Sequence, residues 1–106
     1  GIYFYEHNDF HEAASQFNKV ILSYSPDINS LSTKDIQILA QAYYKLALTQ
    51  SKLAHDSNDF NDKKMYYTNS LSNITESEKL AIKPSALKEY RNTRLLIIKK
   101  AQPFLD

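Results

Sequence analysis

The stretch Gly1–Pro26, GIYFYEHNDFHEAASQFNKVILSYSP, decides how this chain is read. A small residue and an aromatic group (Gly1, Tyr3, Phe4, Tyr5) come first, and a polar turn follows at His7-Asn8-Asp9. Phe10, Ala13, Ala14, Phe17, Val20, Ile21 and Tyr24 then recur at steps of three and four, which lays one apolar stripe along a helix. Asp9 is placed as the N-cap of that helix, with Glu12 three residues on. Pro26 closes it, because proline cannot continue a helix and disfavours helical geometry in the residue before it. The stretch therefore predicts a helical hairpin, 1–26, with an opening helix over residues 1–7.

The same punctuation recurs downstream. Ser32 with Asp35 predicts a helix from about Thr33 to Ala54, where Leu39/Ala40, Leu46/Ala47 and Leu53/Ala54 keep the helical period. Asp59 with Asp62 starts the next helix, which runs to about Ile82, with Ser77 and Glu78 interrupting its apolar face and a kink expected near Asn73–Thr75. These two helices form a longer hairpin, 33–82. Lys83 with Pro84, or Ser85, begins a final helix, 85–101, which Pro103 ends, and Phe104 and Leu105 are expected to fold back over the core.

Composition agrees. Of 106 residues 42% are hydrophobic and 24% charged, with one Gly and three Pro, as in a single all-α domain of about five helices. The absence of cysteine excludes disulfides and thiolate zinc sites and favours a reducing compartment, cytoplasmic or nuclear. No apolar run reaches the ~18 residues of a membrane span, and no secretory signal pattern opens the chain. The chain begins inside a patterned segment, as a fragment of a longer protein would. Residues 1–62 carry eight acidic and four basic side chains, and residues 63–106 carry four and nine, so the C-terminal end is suited to an acidic partner.

An internal repeat is visible. Asn8-Asp9-Phe10 returns as Asn58-Asp59-Phe60, and at the same offset Phe10, Phe17, Ile21 and Tyr24 correspond to Phe60, Tyr67, Leu71 and Ile74. Tyr3-Phe4-Tyr5-Glu6 matches Ala42-Tyr43-Tyr44-Lys45 in the preceding helices. Gly1, Phe4, Asp9-Phe10, Ala13, Phe17, Val20 and Pro26 together resemble the tetratricopeptide repeat signature, although the family's closing proline falls one residue sooner. The second unit matches through Ala40, Tyr43, Tyr44, Phe60 and Tyr67. It departs from the family where Lys63 or Lys64 stands in place of a small residue, so its helices are expected to pack less closely there or in another register.

The resemblance implies a right-handed, TPR-like stack of antiparallel hairpins, a protein-interaction module whose concave face holds a peptide or helix of a partner, in an adaptor, co-chaperone-like or scaffold role. It places Ile2, Tyr5 and Glu6 of the first helix on that face, with Gln37, Gln41, Tyr44 and Lys45 of the third and Lys88, Arg91 and Arg94 of the last. The alternatives are a structural segment of a larger helical scaffold or a peptide-sensing regulatory domain. Family members that clamp the C-terminal carboxylate of heat-shock chaperones use Lys, Asn, Asn, Lys and Arg. Here Ile2 and Ile38 fall where the asparagines belong, and isoleucine donates no hydrogen bond, so this clamp is not matched.

Other chemistry finds little support. His7, Asp9, His11 and Glu12 resemble metal ligands, but a turn separates the histidines and the acids have capping roles. With no nucleophile–base elbow and no Gly-rich phosphate loop, neither an enzyme nor a cofactor is expected. Asn73-Ile74-Thr75 fits a glycosylation sequon but falls inside a helix. Nucleic acid is an unfavoured partner: Lys88, Arg91 and Arg94 share one face, Lys99 and Lys100 lie elsewhere, and only Tyr90 is at hand for stacking.

Overall fold

A computed structural model describes residues 10–24 and 30–105, and within them the protein is all-helical. Four α-helices follow one another: α1 (Phe10–Tyr24), α2 (Thr33–Asp56), α3 (Phe60–Leu80) and α4 (Pro84–Ala101), with a 3-10 turn at Gln102–Phe104. The expected opening helix, the Asp9 cap, and the candidates Ile2, Tyr5 and Glu6 lie outside the described residues.

The helix starts follow the capping chemistry. The Ser32 hydroxyl accepts from the Asp35 amide at 3.1 Å, and the Asp59 carboxylate accepts from the Asp62 amide at 3.0 Å. Lys83 is the N-cap of α4 with Pro84 as its first residue, where the missing N–H costs nothing. Two ends differ from expectation. α2 continues past Ala54 to Asp56, because the Ser57 amide folds back onto the carbonyls of Leu53 and Ala54. α3 stops at Leu80, with Ala81 already extended on the approach to Pro84. α3 is one uninterrupted helix through Asn73–Thr75, where the sequence suggested a kink. The Asn73 side-chain amide donates to Gln50 Oε1 at 2.7 Å and the Thr75 hydroxyl to the Leu71 carbonyl at 2.8 Å, so neither side chain competes for the helical amides. That cross-helix bond also gives the sequon asparagine a structural role.

α2 carries two buried strips. Residues seven apart are nearly two turns apart and stack on one side, while sequence neighbours point ~100° apart. Leu39 and Leu46 face α1, where they pack with Ala13, Phe17 and Ile21. Ala40 and Ala47 face Ile74 of α3 and Tyr90 of α4, and Ala54 continues the strip toward Tyr67, Ile97 and Ala101. The α2–α3 pair is antiparallel. The Lys63 ammonium donates to the Ala54 carbonyl at 2.9 Å, and seven residues further along each helix the Ser70 hydroxyl donates to the Ala47 carbonyl at 2.6 Å. A hydroxyl that reaches the neighbouring helix's backbone requires small residues on both sides. Ser70 and Ser77 supply them on α3, and both are fully buried. Ser77 donates to the Ile74 carbonyl and Thr49 to that of Lys45, so these buried hydroxyls are all satisfied.

The repeat noted in the sequence has a packing counterpart. Phe17 and Ile21 are buried in α1, and their equivalents Tyr67 and Leu71 pack into the core from α3. Phe10 is partly buried, but its equivalent Phe60 is 55% exposed, its ring 5.7 Å from that of Phe104 in the C-terminal turn. Phe104 and Leu105 do fold back. The Phe104 ring stacks on Tyr67 with centroids 5.7 Å apart, and the Lys63 ammonium sits 5.5 Å from its centre.

The alanine strip yields a test of this seam. Ala47→Leu should lower stability by about 1–3 kcal/mol through overpacking. Lys52→Leu, on the exposed side of α2, should change it by less than about 0.5 kcal/mol. Urea unfolding of the two variants measures the difference, and equal stabilities would exclude close α2–α3 packing.

Candidate partner-binding face

With two strips buried, α2 presents its remaining side to solvent. Lys34, Ile38, Gln41 and Lys52 are exposed there and Lys45 is half-buried among them. Ile38, at a position where the chaperone clamp would want asparagine, is a surface residue of this stripe.

Beside the stripe, α2 and α4 diverge around a cleft of about 180 Å³. Gln37 and Gln41, one helical turn apart, stand on its α2 side. Ala86 and Tyr90 stand on the α4 side, and the connection Ala81–Lys83 closes one end. One turn beyond Gln41, Tyr44 ties the two helices together. Its ring centroid is 4.7 Å from that of Tyr90, and its hydroxyl is 3.3 Å from Thr93 Oγ1. Tyr44 is therefore a strut between α2 and α4 behind the cleft, packed on its lining residue Tyr90.

The structure brings Gln37, Gln41 and Tyr44 together and sets Lys45 beside them. It separates the basic residues of α4. Arg94 Nε pairs with the Glu78 carboxylate, so its guanidinium faces α3 and not α2. Lys88 lies on the side of α4 opposite Tyr90, given the helical angle between them, and Arg91 is exposed on the flank that it shares with Arg94. The α4 residues that meet α2 are instead Ala86, Tyr90 and Thr93. Sequence reasoning assigns none of the three to this face: it considers Tyr90 only for base stacking, and a single alanine and a single threonine carry no motif. The available signal was the register: 86, 90, 93 and 97 form one helical stripe.

Tyr90 is buried under Tyr44 and unavailable for base stacking. Its phenol is pushed up by burial, and next by the negative charge of Glu89 and by Tyr44. Burial alone pushes up the Tyr67 phenol. At the other end of the molecule, His11, Leu53, Asp56, Ser57, Asp62 and Tyr66 line a second hollow of about 250 Å³. The His11 ring meets Tyr66 edge-on at 6.4 Å, and Glu12 accepts from the Gln16 side chain, so both residues have partners within the helices. His7 and Asp9, the other members of the metal-like group, lie outside the described residues. Among the described residues no helix is long and apolar enough to cross a membrane.

No family model, curated protein or solved structure matches this chain.

The raised phenols give a pH signature. A group whose folded pKa lies above its unfolded value of 10.0 contributes stability that is complete below that value and lost as pH rises through the folded pKa. Tyr67 and Tyr90 should ionise above pH 10 and weaken the fold as they do. Ultraviolet titration of Tyr67→Phe and Tyr90→Phe variants should each lose a late-titrating phenol, whereas loss of a phenol ionising at the ordinary pH would contradict the assignment.

Proposed function

We propose that the chain is a tetratricopeptide-like module that acts by binding a peptide or helix of a partner protein, in an adaptor or scaffold role and without chemistry of its own, in the cytoplasm or nucleus. The observation that carries this reading is the way α4 returns to α2. α2 and α3 form an antiparallel hairpin, and α4 packs on both of them through Tyr90, with Tyr44 and Thr93 joining α4 to α2 directly. A hairpin followed by a helix that packs on its second member and reaches back to its first is the growth step of a helical repeat stack. In such a stack the first helices of successive hairpins line one surface, and here that surface holds Gln37, Gln41, Tyr44 and Lys45. Lys34, Lys45 and Lys52 on α2 support an acidic partner.

A second reading, a segment of a longer helical scaffold, has its own observation. Leu95 and Leu96 of α4 are 54% and 61% exposed side by side, as residues awaiting a further helix would be.

Site-specific photo-crosslinking separates the binding surface from the rest. A photoreactive residue at Gln41 should give a reproducible protein adduct in cells, and one at Ser72 on the outer side of α3 should not. Equal labelling from both positions, or from neither, would remove the groove as the functional face.

A further inference from the structure

We infer that the cleft between Gln37, Gln41, Ala86 and Tyr90 is an anchor pocket for one aliphatic side chain of a partner segment that carries carboxylates on both sides of it. The inference rests on the interaction-module reading and names what that module would recognise.

Size comes first. A volume of about 180 Å³ falls below the ~300–1,000 Å³ typical of small-molecule sites. It is close to the ~150 Å³ cavity that holds a single benzene in another protein. One leucine-sized group fits and a cofactor does not. The walls suit that occupant: Ala40, Ala81 and Ala86 supply methyl groups and Tyr90 a ring, while Ile82, 45% exposed, stands at the lip. The carboxamides of Gln37 and Gln41 each offer a donor and an acceptor to the backbone of a segment laid along α2.

Charge identifies the flanks. Lys83 is the one charged side chain among the described lining residues. On the exposed stripe of α2, Lys34 lies one turn before Gln37 and Lys45 one turn after Gln41, so cations bracket the cleft. Glu89, the nearby acid that acts on the Tyr90 phenol, lies outside the lining. A segment with carboxylates on either side of a buried leucine complements this arrangement, and one with flanking lysines opposes it.

The test uses the full chain, isotopically labelled, and three short capped synthetic peptides: leucine flanked by glutamates, glycine flanked by glutamates, and leucine flanked by lysines. The first should shift the backbone amides of Gln37, Gln41 and Ala81–Ala86 saturably. The glycine peptide should bind about tenfold more weakly or worse, and the lysine peptide should produce no shifts there. Ala86→Leu fills the pocket and should abolish the response, and Lys83→Glu should reduce the preference for acidic flanks, both with an unchanged melting temperature. Equal binding of the leucine and glycine peptides, or undiminished binding to Ala86→Leu, would overturn the pocket. Concentration-dependent shifts of the same amides without peptide would also overturn it, in favour of a second copy as occupant. Crosslinks from Gln41 that persist in Ala86→Leu would leave the interaction surface standing while this pocket falls, so the two readings fail separately.

Discussion

Two strips of α2 are buried at once, Leu39 and Leu46 against α1, and Ala40, Ala47 and Ala54 against α3 and α4. A helix buried on two sides has a restricted third, and everything else in the molecule is arranged around that fact. The leucine strip packs with Ala13, Phe17 and Ile21 of α1. The alanine strip has almost no side chain to interpose, so α3 approaches until its serine hydroxyl reaches the α2 backbone. α4 then rests on the edge of that seam through Tyr90, and the side of α2 still uncovered becomes the face with Gln37 and Gln41.

Close approach has a polar cost that the chain meets locally. Ser70, Ser77 and Thr49 are wholly excluded from water, and each hydroxyl returns a hydrogen bond to a backbone carbonyl. Lys63 solves a related problem at the hairpin tip. Its ammonium donates to the carbonyls of Ala54 and His55 where α2 ends, and its charge favours that end of the helix dipole. The same group lies over Phe104, which links the hairpin tip to the C-terminal turn. Lys63 thus serves the end of α2, and the small residues that permit close packing come later in α3, at Ser70 and Ser77.

Helix starts were legible in the sequence because capping is local chemistry. Ser32 with Asp35, Asp59 with Asp62, and Pro84 as a first residue each act within three or four residues. The paired Leu–Ala steps of α2 were also visible, but not that the two members face different neighbours. Ser77 looked like an interruption of the apolar face, yet it is core, since burial of a hydroxyl depends on a carbonyl that hydropathy does not register. The candidate face was half legible. Gln37, Gln41 and Tyr44 follow from the register of one helix, whereas Arg94 turned toward Glu78 and the α4 wall of the cleft fell to Ala86 and Tyr90. Those outcomes depend on how α4 is rotated against its neighbours, and pattern within a single helix does not specify rotation.

If α2 is the element on which the others depend, it should be the last to open. Native-state hydrogen exchange resolves this residue by residue. The amides from Leu39 to Ala54 should exchange only through global unfolding, with the same denaturant dependence as the whole molecule, while those of α1 and the end of α4 open earlier at lower free energy. Exchange of the α2 amides through a low-energy local opening, with α4 or α1 still protected, would contradict the account.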